Sequence, residues 1–151
     1  VTAAFFLMLV PWAALEVMRR KGIVSDVHVT RREQRRPVFA AAAVSVVAGI
    51  AVLVVAGAPR VVLVESLSIL VGLVVVASLN LRWKVSVHAT MAAYAACRLA
   101  PFIPTVGIPL ATFFVVLVAW SRLRPREHTP DQVLLGTTLG AALSLLPVLL
   151  G

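Results

Sequence analysis

The sequence predicts an all-α integral membrane protein, a bundle of about six transmembrane helices that forms a single domain over residues 1–151. Hydrophobic residues make up 61% of the chain and the mean hydropathy is +1.02, whereas soluble domains contain roughly 45–50% apolar residues. Charged residues make up only 13%. Long apolar runs also alternate with short charged segments, and several runs can cross the roughly 30 Å hydrocarbon core of a bilayer.

The first three predicted spans are continuous apolar runs. The chain begins inside the first run, which continues to Met18, and no Met or basic leader precedes it, so we expect the natural start of this span to be missing. The second run, Val38 to Ala58, and the third, Val61 to Asn80, each supply the roughly 20 residues that a membrane helix needs. Only a tight turn separates these two runs.

The remaining apolar sequence predicts three further spans. Between Val85 and Trp120 the run is interrupted by several prolines, which favours two short helices because proline ends or kinks a helix. The last span covers 133–150, where Gly136 and Gly140 lie one helical turn apart. Such spacing permits close approach of helices. We expect it to serve packing within the bundle, and homo-oligomerisation stays open.

Alternating spans predict that the loops after spans one, three and five share one membrane face, which we call the charged face. These loops hold twelve of the fourteen basic residues, namely Arg19, Arg20, Lys21, Arg31, Arg32, Arg35, Arg36, Arg82, Lys84, Arg122, Arg124 and Arg126. Positive loops favour the cytoplasm, so we expect a cytoplasmic charged face in the cell membrane, although phosphate ligands among these residues would weaken that inference. The pattern excludes a nucleic-acid surface and indicates lipid headgroups or a phosphorylated lipid as partner.

The histidines coincide with the same loops. All of them, His28, His88 and His128, fall in or beside the charged face. One histidine at a membrane boundary is often only an interfacial polar residue, so the coincidence is the informative feature. His128 comes immediately before a predicted helix start, where Thr129 suits the N-cap, Pro130 the first turn and Gln132 a capping box. Such a helix start favours an anion.

Three short motifs accompany these histidines. In chain order, the first motif is Arg-Pro at residues 36–37. The second is Lys-Val-Ser-Val-His at 84–88, and the third is a Ser-Arg, five residues, His pattern formed by Ser121, Arg122 and His128. In order and spacing these motifs resemble those of the type 2 phosphatidic acid phosphatase superfamily. That family has Lys, six residues, Arg-Pro, then Pro-Ser-Gly-His, then Ser-Arg, five residues, His, three residues, Asp. The resemblance also includes the six spans and the shared face.

The resemblance implies a phosphoric monoester or diphosphate hydrolase that acts on a lipid without a metal or another cofactor. It implies that His128 is the nucleophile, which forms a phosphohistidine, and that His88 protonates the departing alcohol oxygen. Cationic side chains would balance the phosphate charge, for which arginine supplies bidentate donors. The predicted phosphate-binding residues are Arg122, Lys84, Ser86, Arg36, Arg35 and Arg31.

The chain departs from the family pattern at three positions. Val29 stands where the first motif has Lys, and Val87 stands where the second has Gly. At the third, Gln132 occupies the place of the Asp, while Asp131 comes one residue early. We predict Asp131 as the orienting carboxylate, with Gln132 as the alternative, because an amide can orient an imidazole but cannot stabilise its positive charge.

Two functions follow from these observations. The first is a membrane-embedded phosphatase of a phosphatidate-like lipid, or of a polyprenyl phosphate or diphosphate, that works through a phosphohistidine. The alternative is a non-catalytic protein that binds anionic lipid or scaffolds a partner, which the altered first and second motifs favour. Phosphate release from lipid phosphates, compared with that of a His128→Ala variant, discriminates between them.

Overall fold

The computed structural model describes residues 2–25, 29, 31–124 and 128–150. Helix accounts for 82% of these described residues, which contain no strand. The helices are α1 (Thr2–Arg20), α2 (Arg35–Val55), α3 (Arg60–Asn80), α4 (Val87–Leu99), α5 (Gly107–Leu123), α6 (Pro130–Leu143) and α7 (Leu146–Leu150), of which α7 continues α6. The predicted all-α fold class is confirmed.

Among the described residues, four helical segments are long and apolar enough to cross a membrane. They are α1, α2, α3 and the segment Pro130–Leu150 that α6 and α7 form together. The helix α5 has 17 residues and α4 only 13, so α4 is about 20 Å long at 1.5 Å per residue. All six predicted segments are therefore helical. The helix α5 has the length of the shortest membrane-spanning helices, roughly 17 residues, whereas α4 is shorter.

The chain divides into two compact units, of which the first runs to Arg82 and the second from Trp83 to Leu150. The first unit contains α1 to α3, and the second contains α4 to α7. In the first unit each helix packs on its neighbour in the sequence, whereas in the second unit α4 packs most extensively on α6. The description of the whole chain as one domain stays a prediction.

In the first unit, α1 contains a π-helical segment, Phe5–Leu9. The backbone N–H of Val10 donates to the carbonyl of Phe5 five residues earlier. The next residue, Pro11, has no N–H, so the carbonyl of Phe6 receives no donor in this pattern. The hydroxyl of Ser45 on α2 donates to that carbonyl at 2.7 Å, which satisfies it and ties α1 to α2.

The turn between α2 and α3 is a Schellman motif, which ends a helix with a left-handed residue. Gly57 has φ +65°, a conformation that costs glycine little. The N–H groups of Gly57 and Ala58 donate to the carbonyls of Val54 and Leu53 at 3.1 and 2.9 Å, which satisfies the last carbonyls of α2. Pro59 then precedes α3. The predicted tight turn is confirmed.

In the second unit, the proline-rich segment separates α4 from α5 as predicted. A 3₁₀ turn, Ala100–Phe102, follows α4 directly, and α5 begins at Gly107, whose N–H donates to the carbonyl of Ile103 at 2.9 Å. Pro101 has no backbone N–H, so one hydrogen bond of a continuing helix cannot form there. The apolar run from 85 to 120 thus forms two helices.

The helices α4 and α6 lie parallel and pack closely. A Cβ built on Gly136 would lie 2.6 Å from the carbonyl oxygen of Ser86. One turn later, Gly140 faces the carbonyl oxygen of Thr90 and the Cβ of Ala93. Because the contacts advance in the same direction along both helices, α4 and α6 start at the same end of the unit. The predicted role of the glycine pair in packing within the chain is confirmed.

Candidate active site

The candidate site lies at the end of the second unit where α4 and α6 begin. The backbone N–H of Ser86, just before α4, donates to the backbone carbonyl of Gln132 in the first turn of α6 at 3.3 Å. This bond fixes the two helix starts side by side. The second and third motifs therefore meet, although 46 residues separate Ser86 from Gln132 along the chain. Two neighbouring helix N-termini favour an anion, because the positive ends of both helix dipoles lie there.

Ser86 begins α4 as its N-cap. Its hydroxyl oxygen accepts the backbone N–H of Ala89 at 3.3 Å, and the residue is fully buried. Val85 before it is also buried, whereas Lys84 is half-buried and His88, in the first turn of α4, is exposed. Burial of this N-cap anchors the helix start and leaves His88 accessible. The predicted contact of Ser86 with phosphate stays a prediction.

The start of α6 holds His128 through Gln132. The side-chain oxygen Oε1 of Gln132 accepts the backbone N–H of Thr129 at 3.3 Å, and the predicted capping box is confirmed. The same Oε1 lies 3.2 Å from Nδ1 of His128, which is half-buried. Asp131 lies in the same turn with its side chain exposed. The structure thus places the amide of Gln132 beside the imidazole, and the role of Asp131 stays a prediction.

The end of α5 carries Ser121 and Arg122 of the third motif. The hydroxyl of Ser121 donates to the carbonyl of Val118 at 2.7 Å, and its oxygen accepts Nε of Arg122 at 3.2 Å. Arg122 is therefore oriented by its neighbour and is half-buried. Only three residues separate Arg124 from His128, so their Cα atoms lie at most about 14 Å apart. The end of α5 consequently lies near the start of α6.

Some predicted residues lie in the first unit. Arg35 donates from Nε to the carbonyl of Val29 at 3.3 Å, and Val29 has φ +49°, which is rare for a branched residue. Arg31 and Arg36 are exposed. Binding of phosphate by these three arginines stays a prediction. Two further predicted residues of the charged face, His28 and Arg126, lie outside the described residues.

The first unit also contains a local ion-pair cluster, which lies at the end of α1. Glu16 accepts from Arg19 at 2.7 Å and from Arg20 at 2.8 Å, both within the last turns of α1. Pairs of this kind at exposed positions stabilise a helix only slightly. These two arginines thus have carboxylate partners within their own helix, which the count of basic residues alone does not show.

Two site features escape sequence reasoning. The backbone hydrogen bond between Ser86 and Gln132 joins segments that are distant in the sequence, so no local sequence pattern predicts it. Thr90 packs against both glycines of α6, with its hydroxyl donating to the Ser86 carbonyl at 3.0 Å. The small residues at Gly136 and Gly140 were the one available signal, since they predict a close neighbour without identifying it.

An apolar cavity of about 780 Å³ lies farther along the same unit. Its lining includes Ala93, Ala96 and Cys97 of α4, with Ile108 and Val115 of α5. Cys97 is 11 residues beyond Ser86 along α4, which is about 16 Å in a helix. The cavity therefore begins within one lipid chain length of the helix starts that carry the histidines.

Comparison with known families gives a match to the PAP2 superfamily over residues 73–150, just over half of the chain. The match includes the second and third motifs, while residues 36–37 of the first motif lie outside it. Searches of curated proteins and of solved structures found no match. Members of this superfamily are generally phosphatases, and four apolar helices agree with a membrane protein. The chain is thus an integral membrane protein that belongs to the PAP2 superfamily, with a phosphatase-type function.

Proposed function

We propose that the chain is a lipid phosphate phosphatase that hydrolyses a phosphatidate-like lipid, or a polyprenyl phosphate or diphosphate, through a phosphohistidine. The observation that carries this proposal is the parallel pair of α4 and α6. Its bond from Ser86 N–H to the Gln132 carbonyl brings the starts of both histidine-bearing helices to one end of the unit. A single phosphoryl group can then meet both imidazoles.

The chemistry requires a nucleophile, an acid and fixed positive charge. In the proposed reaction, His128 attacks phosphorus and the bond to the lipid oxygen breaks, while His88 donates its proton to that oxygen. Water then attacks the phosphohistidine and gives a proton to His88, so that inorganic phosphate leaves and both histidines return to their starting states. Arg122 and Lys84, together with the two helix N-termini, would stabilise the charge on the equatorial oxygens.

The apolar cavity supports a lipid as the substrate. Its lining is almost entirely apolar, and it lies on the same unit as the histidines. A hydrocarbon tail can occupy such a space, while a phosphate at the helix starts stays near the membrane boundary. We also propose, from the distribution of basic residues, that the protein lies in the cell membrane with its charged face in the cytoplasm. Arg31, Arg35 and Arg36 stay candidates for phosphate binding.

A second function, binding of anionic lipid without catalysis, is favoured by one observation. The neutral amide of Gln132 lies beside His128, whereas a catalytic histidine is usually oriented by a carboxylate that stabilises its charged form. Basic residues and helix N-termini would still bind a phosphate headgroup. This alternative predicts binding of lipid phosphates with no release of phosphate.

The test is phosphate release from purified protein in lipid nanodiscs with chelator present. We expect release from phosphatidate or from polyprenyl diphosphate, well above that of a His88→Ala/His128→Ala double variant. Glycerol 3-phosphate, which has no tail, should be a poorer substrate. Equal release from the wild type and the double variant on every lipid would contradict the proposed enzyme and favour the binding protein. Release only after metal is added would contradict metal independence.

Arg122→Lys is expected to lower kcat/KM for the lipid phosphate about 10- to 100-fold. A charge-assisted hydrogen bond contributes about 1.5–3 kcal/mol, and lysine keeps the charge but loses the bidentate geometry. Steady-state phosphate release measures the effect. Arg124→Lys is a matched control, since Arg124 lies 4.8 Å over the ring of Trp120. An equal loss in both variants would show that only general positive charge matters.

A further inference from the structure

We infer that the apolar cavity of the second unit holds the far end of the substrate's chain and selects a single chain of about 20 Å or longer, as a polyprenyl diphosphate has. This role rests on the proposed function, in which the phosphate lies where α4 and α6 begin. Three features of the cavity support it, namely its depth below those helix starts, the chemistry of its lining and its closed far end. The cavity thereby favours a polyprenyl lipid over a diacyl lipid.

The depth of the cavity agrees along two helices that begin at the site. On α4 the lining includes Ala93 and Cys97, which lie 7 and 11 residues beyond the N-cap. On α6 it includes Thr137 and Ala141, at the same two steps beyond the first residue of that helix. At 1.5 Å per residue these positions lie about 10 and 16 Å below the helix starts. A bilayer core of roughly 30 Å has its middle at about 15 Å, so the cavity reaches past the middle.

The lining of the cavity suits a hydrocarbon chain. The hydroxyls of Thr137 and Thr105 donate to the backbone carbonyls of Val133 and Pro104 at 3.0 and 2.7 Å, so neither needs a partner in the cavity. Apart from Thr112, the other lining residues have apolar side chains. A buried water makes about three hydrogen bonds, and this lining offers too few polar atoms for a water or a headgroup. The occupant is therefore the apolar part of a lipid.

The turn after α4 closes the cavity about 20 Å from the helix starts, which is the length of the 13 residues of α4. Pro101 and Pro104 of this turn belong to the lining. The start of α5 packs directly on the turn, because a Cβ added to Gly107 would meet the backbone carbonyl of Ala100. A chain cannot pass between backbone segments in such contact. A chain of about 20 Å therefore fills the cavity, whereas a diacyl tail, which spans one leaflet of about 15 Å, does not reach its end.

Ala141 keeps the cavity open at its middle depth, and its neighbour provides a matched control. Ala141 is half-buried and lines the cavity, whereas Ala142 is exposed and lies outside the lining. A phenylalanine at 141 would fill the space that a chain needs to reach the closed end. The same side chain at 142 would extend into the bilayer. Ala141→Phe should thus shorten the chain that the protein accepts, and Ala142→Phe should not.

The first test measures kcat/KM in nanodiscs for geranyl, geranylgeranyl and undecaprenyl diphosphate. In the wild type we expect a rise of about tenfold from geranyl to geranylgeranyl diphosphate, the lower end of the range for fit in an apolar pocket. Undecaprenyl diphosphate should give no further rise, because the excess chain must leave the cavity. Ala141→Phe should lose the rise and keep the geranyl value, and Ala142→Phe should behave as the wild type. Each variant is compared with the wild type on one substrate, which cancels the partition of that substrate into the bilayer.

The second test locates the chain without catalysis and without a variant. A phosphonate that cannot be hydrolysed carries a geranylgeranyl chain with a diazirine at its far end. Photolysis should label the wild type within 93–104 or 137–141, and excess unlabelled phosphonate should remove this label. A label that persists would show contact with the bulk bilayer alone, and together with equal kinetics of the two phenylalanine variants it would overturn the inference. A competed label in the cavity without phosphate release from any lipid would uphold the chain site and overturn the proposed enzyme.

Discussion

His128→Ala should abolish the phosphoenzyme and reduce phosphate release to background, a loss on the order of 10⁴- to 10⁶-fold, the scale seen when a nucleophile is removed. The covalent intermediate needs a nitrogen that attacks phosphorus, and alanine offers none. His88→Ala should slow the reaction by about 10²–10⁴-fold, the range for loss of a general acid. The phosphohistidine should therefore still form in His88→Ala, although more slowly, but not in His128→Ala.

Rapid quenching with a lipid substrate labelled at phosphorus measures the intermediate directly. A phosphohistidine is stable in alkali and labile in acid, so it is distinguished from a phosphoserine. A substrate with a good leaving group, such as p-nitrophenyl phosphate, needs little protonation. On this substrate the defect of His88→Ala should shrink, while that of His128→Ala should persist. A phosphoenzyme in His128→Ala would place the nucleophile elsewhere.

Much of the fold could be predicted because it depends on local chemistry. The turn at Gly57 and Pro59 combines a left-handed glycine with a residue that starts a helix, and both properties are visible in the sequence. The capping box of Thr129 and Gln132 is equally local. Apolar runs identify helices since a bilayer requires about 20 apolar residues, whatever packs on them.

Helix lengths were harder to predict, because residues near a proline can be apolar without being helical. The sequence from 85 to 120 stays apolar, yet α4 ends at Leu99 and α5 begins at Gly107. Hydropathy counts the residues between them as membrane sequence, although they form a 3₁₀ turn and loop. Hydropathy therefore identifies the helices but not the residues at which α4 ends and α5 begins.

The candidate site could be predicted as a set of residues but not as a geometry. Spacing selects His128 and Arg122 as candidates, because both belong to one short motif. It did not distinguish Gln132 from Asp131, since both lie within one turn of His128 and only the direction of each side chain separates them. The bond from Ser86 to Gln132 depends on tertiary packing of α4 on α6, which local propensity does not encode.

Gly140→Ala adds a single methyl group, and it should lower the stability of the protein more than a methyl group added anywhere else on α6. On an exposed helix this change stabilises by about 1 kcal/mol, because alanine favours helix more than glycine does. Here the new Cβ meets the backbone carbonyl of Thr90 and lies 3.0 Å from the Cβ of Ala93. A backbone carbonyl cannot move aside by a change of rotamer as a side chain can, so α4 and α6 must move apart. Overpacking of this kind costs about 1–3 kcal/mol.

Separation of the helices also acts on the site. The same interface aligns the N–H of Ser86 with the carbonyl of Gln132, a bond of 3.3 Å that has little slack. Thermal unfolding in detergent micelles should show Tm lowered by about 5 °C, and phosphate release should fall at temperatures where the variant is still folded. Thr138→Leu, at an exposed position of α6, adds more bulk yet should change stability by less than about 0.5 kcal/mol. If Gly140→Ala raised Tm, helix propensity would outweigh packing, and the close parallel pair that holds both histidines at one end would be wrong.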